Sequence, residues 1–171
     1  MPKKPTYEEL EKRVQELERA ESERKHDEER LKRLNSLTES LLGSDSLDEK
    51  MKRITDGVID IFGADFARIW LIKQGDMCDS GCMHANVIEG AHVCRERNRC
   101  LHLMASSGRY THIDGSHGRV PFGCYKIGLV AAAEEPGFLT NDVTHDPRVH
   151  NHNWARELGL VSFAGYRLQS H

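Results

Sequence analysis

The sequence predicts an α+β protein: a long exposed helix followed by a domain in which helix gives way to an antiparallel sheet. Three observations carry this. Residues 7–42 hold no proline or glycine and are crowded with Glu, Arg, Lys and Leu. After Gly63 the apolar spacing shifts from threes and fours to near-alternation. Four of the five cysteines fall in one stretch, "CDSGCMHANVIEGAHVCRERNRC", between two strand-like segments.

The composition of residues 7–42 is that of a solvated helix. Leu10, Val14 and Leu17 are spaced four then three apart, as in a coiled-coil seam, and Leu31, Leu34, Leu41 and Leu42 resume an apolar stripe. We expect this helix to pair in parallel with a second copy, giving a homodimer. A single solvated helix is the competing expectation, since "ESERKHDEER" in its middle has no core residues. Gly43 is placed to end the helix, and Ser46 with Glu49 three residues on forms a capping box for the next. That second helix carries Met51, Ile54, Val58, Ile59 and Phe62 on one face and stops at Gly63.

Residues 65–73, "DFARIWLIK", read as a strand, and residues 100–111, "CLHLMASSGRYT", as its antiparallel neighbour, although the second alternates loosely. Between them residues 74–99 show little periodicity. A structureless connection of that length is uncommon in a compact domain. Cys78 and Cys82 follow the first strand, while Cys94 and Cys100 precede or open the second, in the pattern C-x3-C-x11-C-x5-C. Two ligand pairs so placed can close the connection on a metal. Zinc fits best, since it takes four thiolates in a tetrahedron without redox chemistry; an iron–sulfur cluster is the alternative. His84, His92 and His102 are spare ligands. Arg95, Arg97 and Arg99 would offset the charge of a four-thiolate site.

At 171 residues and 38% hydrophobic, the chain suits one domain with an accessory element. Charged residues make up 30% but the net charge is −3, so nothing electrostatic favours nucleic acid. The amino-terminal "MPKKPTYEELEKRV" has no apolar segment behind its lysines, and no run approaches the ~20 apolar residues of a membrane span. A cytoplasmic location follows as an expectation, and with it metal ligation or redox use of the cysteines rather than disulfides. No G-x-S-x-G elbow, phosphate-binding glycine loop or H-E-x-x-H is found, so the chain is expected not to be an enzyme.

The series "FGADFARIWLI", "RVPFGCYKIG", "GFLTNDV" and "ARELGLVSFAGYRL" resembles, in order and spacing, a GAF domain, the small-molecule-sensing module of bacterial signalling proteins, over about residues 34–168. The resemblance implies an antiparallel sheet with helices on one face and a ligand pocket on the other. It also implies a sensory role next to an effector of the histidine kinase type, in a longer chain or in a partner. It divides the sequence into a signalling helix, 1–33, and a GAF-like domain, 34–171. The Cys-rich stretch, 74–100, is an insertion absent from a minimal member. The family continues past "GYRL" with further strands, so the sheet is expected to be incomplete at the carboxyl terminus, as in a fragment of a longer sensor. Phe122, Cys124, Tyr125, Asp142 and Trp154 are the expected pocket residues, for a ligand the sequence does not name. The resemblance places Cys124 near the pocket, and members that sense redox state or attach a bilin use a pocket cysteine, but a small buried hydrophobe is the plainer expectation, and Tyr125 follows it instead of the histidine typical of bilin sites. A redox sensor, or a sulfoxide reductase using a cycling cysteine pair, is the alternative function. His145, Asp146, His150 and His152 form a polar loop that could hold a second metal or anion, with solvation the plainer expectation.

Overall fold

The computed structural model describes residues 4–90, 92–132, 137–147, 149 and 152–169. Contacts divide the chain into two units, Met1–Ala67 with Ser107–Arg109, and Arg68–Ser106 with Tyr110–His171.

The first unit is helical. Helix α1 spans Tyr7–Ser40, opened by a capping box in which Thr6 and Glu9 satisfy each other's backbone N–H groups. None of its residues is buried. Its exposed faces carry (i, i+4) pairs such as Glu21–Lys25 and Glu29–Arg33. The helix ends on Leu41, which keeps right-handed helical geometry, so Gly43 does not serve as the left-handed stop expected of it. The turn beyond is held by Arg53, whose guanidinium donates to the Ser40 carbonyl at 2.6 Å and to Asp45 at 2.7 Å.

Helix α2, Leu47–Phe62, starts with the Ser46–Glu49 capping box and ends on Gly63 at φ +63°, as the sequence foretells. It buries Met51 and Thr55. Gly57 lets it approach α1, since a Cβ there would lie 2.5 Å from a Leu37 methyl carbon. Thr55 shares a 2.6 Å hydroxyl bond with buried Ser107, whose hydroxyl donates to Asp56 at 2.6 Å.

Strands β1, Phe66–Lys73, β2, Cys100–Gly108, and β3, Arg119–Pro121, form one sheet in the order β1-β2-β3. β2 is shorter than the expected 100–111 because Gly108, at φ +88°, turns the chain. The strand is buried along almost all of its length, which explains its loose alternation: a strand covered on both faces has no polar side to alternate with. β2 and β3 run antiparallel, with Cys100 opposite Pro121 and His102 opposite Arg119. Pro121 has no N–H to extend the ladder, and β3 ends there.

Helix α3, Tyr125–Ala132, packs on β3, and Gly128 permits the approach: a Cβ there would sit 2.3 Å from the Pro121 carbonyl oxygen. Strands β4, Gly137–Thr140, and β5, Phe163–Tyr166, pair antiparallel as a second small sheet, with α4, His152–Glu157, between them in sequence. The architecture is therefore α+β, with a long amino-terminal helix and small antiparallel sheets. Among the described residues the strands form two sheets, where the sequence suggested one. No described helix is long and apolar enough to cross a membrane.

Candidate functional site

The connection from β1 to β2 is drawn together at its base. Gly75 N–H donates to the Arg97 carbonyl at 2.9 Å, joining the residues just after β1 to those just before β2. Only glycine fits there, because a Cβ would lie 2.6 Å from that carbonyl oxygen and 2.7 Å from the Cys78 sulfur. A tight turn follows, in which the N–H groups of Ser80 and Cys82 both donate to the Met77 carbonyl. A 3-10 turn, Met83–Asn86, carries the chain on.

These turns and the start of β2 bring Cys78 and Cys82 within electrostatic reach of Cys94 and Cys100. Burial pushes the Cys100 thiol up to about 11, and Cys82, Cys94 and Cys78 each add to the rise while Arg119 opposes it. Cys94 is raised by burial, then by Cys78, Cys82 and Cys124, against Arg97. Cys94 and Cys100 therefore hold their protons more firmly than an ordinary thiol does. All five cysteines are free thiols. Among the described residues no set of three or more His, Cys, Asp or Glu side chains is already arranged to hold a metal ion. The thiols are gathered without being closed into a tetrahedron.

Charge compensation comes partly from an unexpected residue. Arg119 on β3 grips Asp76 through two bonds of 2.8 and 2.6 Å, and that grip holds the Asp76 carboxyl far below the usual carboxylate range. The Arg119 guanidinium is held above its usual value first by that Asp76 grip and, more weakly, by Cys100 and Cys82. Of the arginines between the cysteines, Arg97 acts on Cys94 and pairs with Asp79 at 3.6 Å. Arg99 lies over the Phe122 ring, 3.6 Å from its centroid. Asp76 stands two residues before Cys78, but its pairing with Arg119 depends on the β2–β3 register and has no signal in the sequence. His102 accepts or donates at the Gln74 carbonyl, 2.9 Å away, and burial lowers its pKa.

Three of the five expected pocket residues, Phe122, Cys124 and Tyr125, stand together beside this connection. Cys124 is buried, its S–H directed at the Val93 carbonyl 3.4 Å away. Tyr125 donates its N–H to His92 Nδ1 at 3.2 Å and stacks on that imidazole, with centroids 4.1 Å apart and planes 12° apart. The His84 ring meets Tyr125 edge-on at 5.2 Å. Tyr125 has φ +54°, the one positive value at a described non-glycine residue. Such a conformation costs about 1–2 kcal/mol and persists where surrounding contacts enforce it.

The other two lie in different surroundings. Asp142 sits in an exposed turn, bonded by His145 at 2.8 Å and Thr144 at 3.1 Å, with its carboxyl held low chiefly by His145. Trp154 lies 6.1 Å from the Tyr110 ring and 5.7 Å from the His117 ring. In the polar loop, His145 is paired with Asp142 and His152 bonds the Asp146 carbonyl; His150 lies outside the described residues.

No family model matches the sequence, and no curated protein does. Solved structures do match. The A. aeolicus nlh2 GAF domain in an inactive state superposes with a TM-score of 0.52 at 14% identity, covering 84% of this chain and 83% of that one. The GAF domain of a phosphoenolpyruvate-protein phosphotransferase from Coxiella burnetii gives 0.53 at 20% identity, covering 83% of this chain and 70% of that one. Together with the α+β architecture described above, these likenesses establish that the chain has the GAF fold.

Proposed function

We propose that this chain is a sensory module of a bacterial, cytoplasmic signal-transduction protein, in which a structural zinc ion closes the β1–β2 connection. The sensory role rests on the GAF fold, which is an argument from architecture. The zinc rests on one observation: Cys78 and Cys82 follow β1 while Cys94 and Cys100 stand at the entry to β2, so two thiol pairs bracket a 26-residue connection whose base is drawn together by the Gly75–Arg97 bond. Four thiols meeting Zn2+ would release four protons and form a closed tetrathiolate, with no position open to substrate. Arg119 and Arg97 would offset part of its charge.

In this reading the chain binds and transmits, and catalysis belongs to an effector of the histidine kinase type in a longer chain or in a partner. A small molecule or a redox signal would bias two arrangements of the domain. Phe122, Cys124 and Tyr125 are the candidate residues closest to the connection; Asp142 and Trp154 would serve from separate positions. Two copies of α1 would carry the output as a parallel pair along Leu10, Val14 and Leu17.

The experiment is metal analysis by plasma mass spectrometry on the full chain, purified without air and without added metal. One zinc per chain is the expected result. Iron in place of zinc, with visible absorption that bleaches in air, would replace the structural site by an iron–sulfur sensor. No metal, with all five thiols reacting freely in the native state, would overturn the zinc reading.

A further inference from the structure

We propose that α1 leads into a second dimer seam, Leu31, Asn35, Thr38 and Leu42, which continues the register of Leu10, Val14 and Leu17 and docks, in parallel and level, on the same four residues of a second copy of the chain. The proposal deepens the parallel pairing of α1 and rests on it. Register is its first support. Leu31 follows Leu17 by two full heptads, so Leu10, Leu17, Leu31 and Thr38 fall on one heptad position, and Val14, Asn35 and Leu42 on the other position of the same seam. The structure separates this line from the face that α1 already uses. Leu34, Leu37 and Leu41 are half-buried, with Leu37 against Gly57 of α2. Leu31 and Leu42 stay 59% and 82% exposed, and Asn35 and Thr38 between them are exposed as well. What the sequence joins as one apolar stripe is therefore two, one turned to α2 and one left open in line with the amino-terminal seam.

The chemistry along the line suits an identical partner. The Thr38 hydroxyl already donates to the Leu34 carbonyl at 2.9 Å, so it can be covered without orphaning a donor. Asn35 on a core position pairs best with its own counterpart at the same level, which favours a parallel dimer in register. The flanking charges agree. In such a pair the residue before one core position meets the residue five further along the other helix, which sets Arg13 beside the partner's Glu18 and Asp27 beside the partner's Lys32, both attractive. Between the seams Glu21, Arg24 and Glu28 hold three successive core positions. They are paired along their own helix, Arg24 with Glu28 at 2.5 Å and Glu21 with Lys25 at 2.8 Å, and covering such charges is unfavourable. The helices therefore meet at two seams about 21 Å apart along the axis, each shorter than the three or four heptads of a firm coiled coil, and neither holds alone. Leu42 lies within the turn that Arg53 ties between Ser40 and Asp45, so the second seam carries the pairing to the α1–α2 corner.

The test is sedimentation equilibrium of the full chain, with reductant present so that no cysteine links the copies. Leu31→Gln and Leu42→Gln, at positions exposed in the single chain, should each weaken association about tenfold or more, as Val14→Gln does. Asn35→Leu should tighten it by about the same factor and admit higher oligomers, a gain that misfolding does not imitate. Arg13→Glu should weaken it roughly threefold, and adding Glu18→Arg should restore it. A dimer weakened by Val14→Gln but indifferent to Leu31→Gln, Leu42→Gln and Asn35→Leu overturns the second seam and leaves the amino-terminal pairing standing. Charge reversal at Arg13 that Glu18→Arg does not rescue overturns the parallel, level arrangement. A chain that stays monomeric at every concentration, with Asn35→Leu as without it, overturns both seams.

Discussion

Helix α1 and the β1–β2 connection are both poor in buried apolar surface, and they are held by opposite means. None of the 34 residues of α1 is buried, yet its order needs little beyond itself: a capping box, (i, i+4) charge pairs and the repeating helical backbone bonds. The 26 residues of the connection are tied by contacts to partners remote in sequence: Arg97 to Gly75, Val93 to Cys124, His92 to Tyr125. Order in the helix is written locally. Order in the connection depends on cross-links that must first be brought together, and closing such a loop costs entropy that side-chain hydrogen bonds alone offset poorly.

The largest expected break in this symmetry comes from the thiols. Cys82→Ser or Cys94→Ser should release the metal, with loss of a site worth on the order of 10 kcal/mol of apparent binding energy at neutral pH. Limited proteolysis should then cut within residues 74–99, while the helical circular dichroism from α1 and α2 is retained. Cys124→Ser, by contrast, should leave metal content unchanged. Loss of helical signal together with the metal would show that the two regions are not held independently.

A pair of glycine substitutions sharpens the comparison at smaller scale. Gly75→Ala would drive a methyl to 2.6 Å from the Arg97 carbonyl oxygen and 2.7 Å from the Cys78 sulfur, against backbone that cannot yield cheaply. It should destabilise the chain by about 1–3 kcal/mol and weaken metal retention. Gly57→Ala meets instead the flexible end of Leu37 at 2.5 Å and gains up to about 1 kcal/mol of helix propensity. Its net effect, measured by denaturant unfolding, should be the smaller of the two. A reversed order would contradict the contrast drawn between a helix held locally and a connection held by close contact.

Acid should act on the helical unit without reference to the metal. Burial raises the Asp56 carboxyl, but hydrogen bonds from Lys52 and Ser107 outweigh it and hold the group below its usual value. The folded pKa is therefore depressed. Its contribution is complete above the unfolded value near 4 and is lost as pH falls through the folded one. Asp56→Asn should remove about 0.5–1.5 kcal/mol at pH 7 and flatten the stability profile below about pH 4, as chemical denaturation across that range would show. Smallest of all should be the effect of the α1 seam on stability. Leu10, Val14 and Leu17 are 49%, 52% and 63% exposed in the single chain, and sedimentation should show weak association that disappears on deletion of residues 1–30. A monomer at high micromolar concentration, unchanged by that deletion, would contradict the parallel pair.

How much of this was legible follows the same division. The limits of α2 are spelled in Ser46, Glu49 and Gly63, because caps are local chemistry read within four residues. The end of α1 was misread by its nearest glycine: Leu41 closes the helix, and the Arg53 bonds to Ser40 and Asp45, which no local pattern announces, hold the turn. The placement of Cys78 and Cys82 at one end of the connection and of Cys94 and Cys100 at the other is plain in the sequence. Their electrostatic partner is not. Arg119 reaches Cys100 and Cys82 only because β3 lies next to β2, whereas the nearby Arg99 turns away to Phe122. The left-handed Tyr125 has no signature either, since tyrosine is a residue one would least place there.

The central claim is that the four thiols of the connection close on one zinc. X-ray absorption at the zinc edge, on the full chain loaded with one equivalent of Zn2+, counts the donors directly. The account predicts four sulfur neighbours at about 2.3 Å and no oxygen or nitrogen shell, falling to three sulfurs or to released metal in Cys78→Ser. Zinc surrounded by nitrogen and oxygen, or a sulfur count unmoved by that substitution, would contradict it.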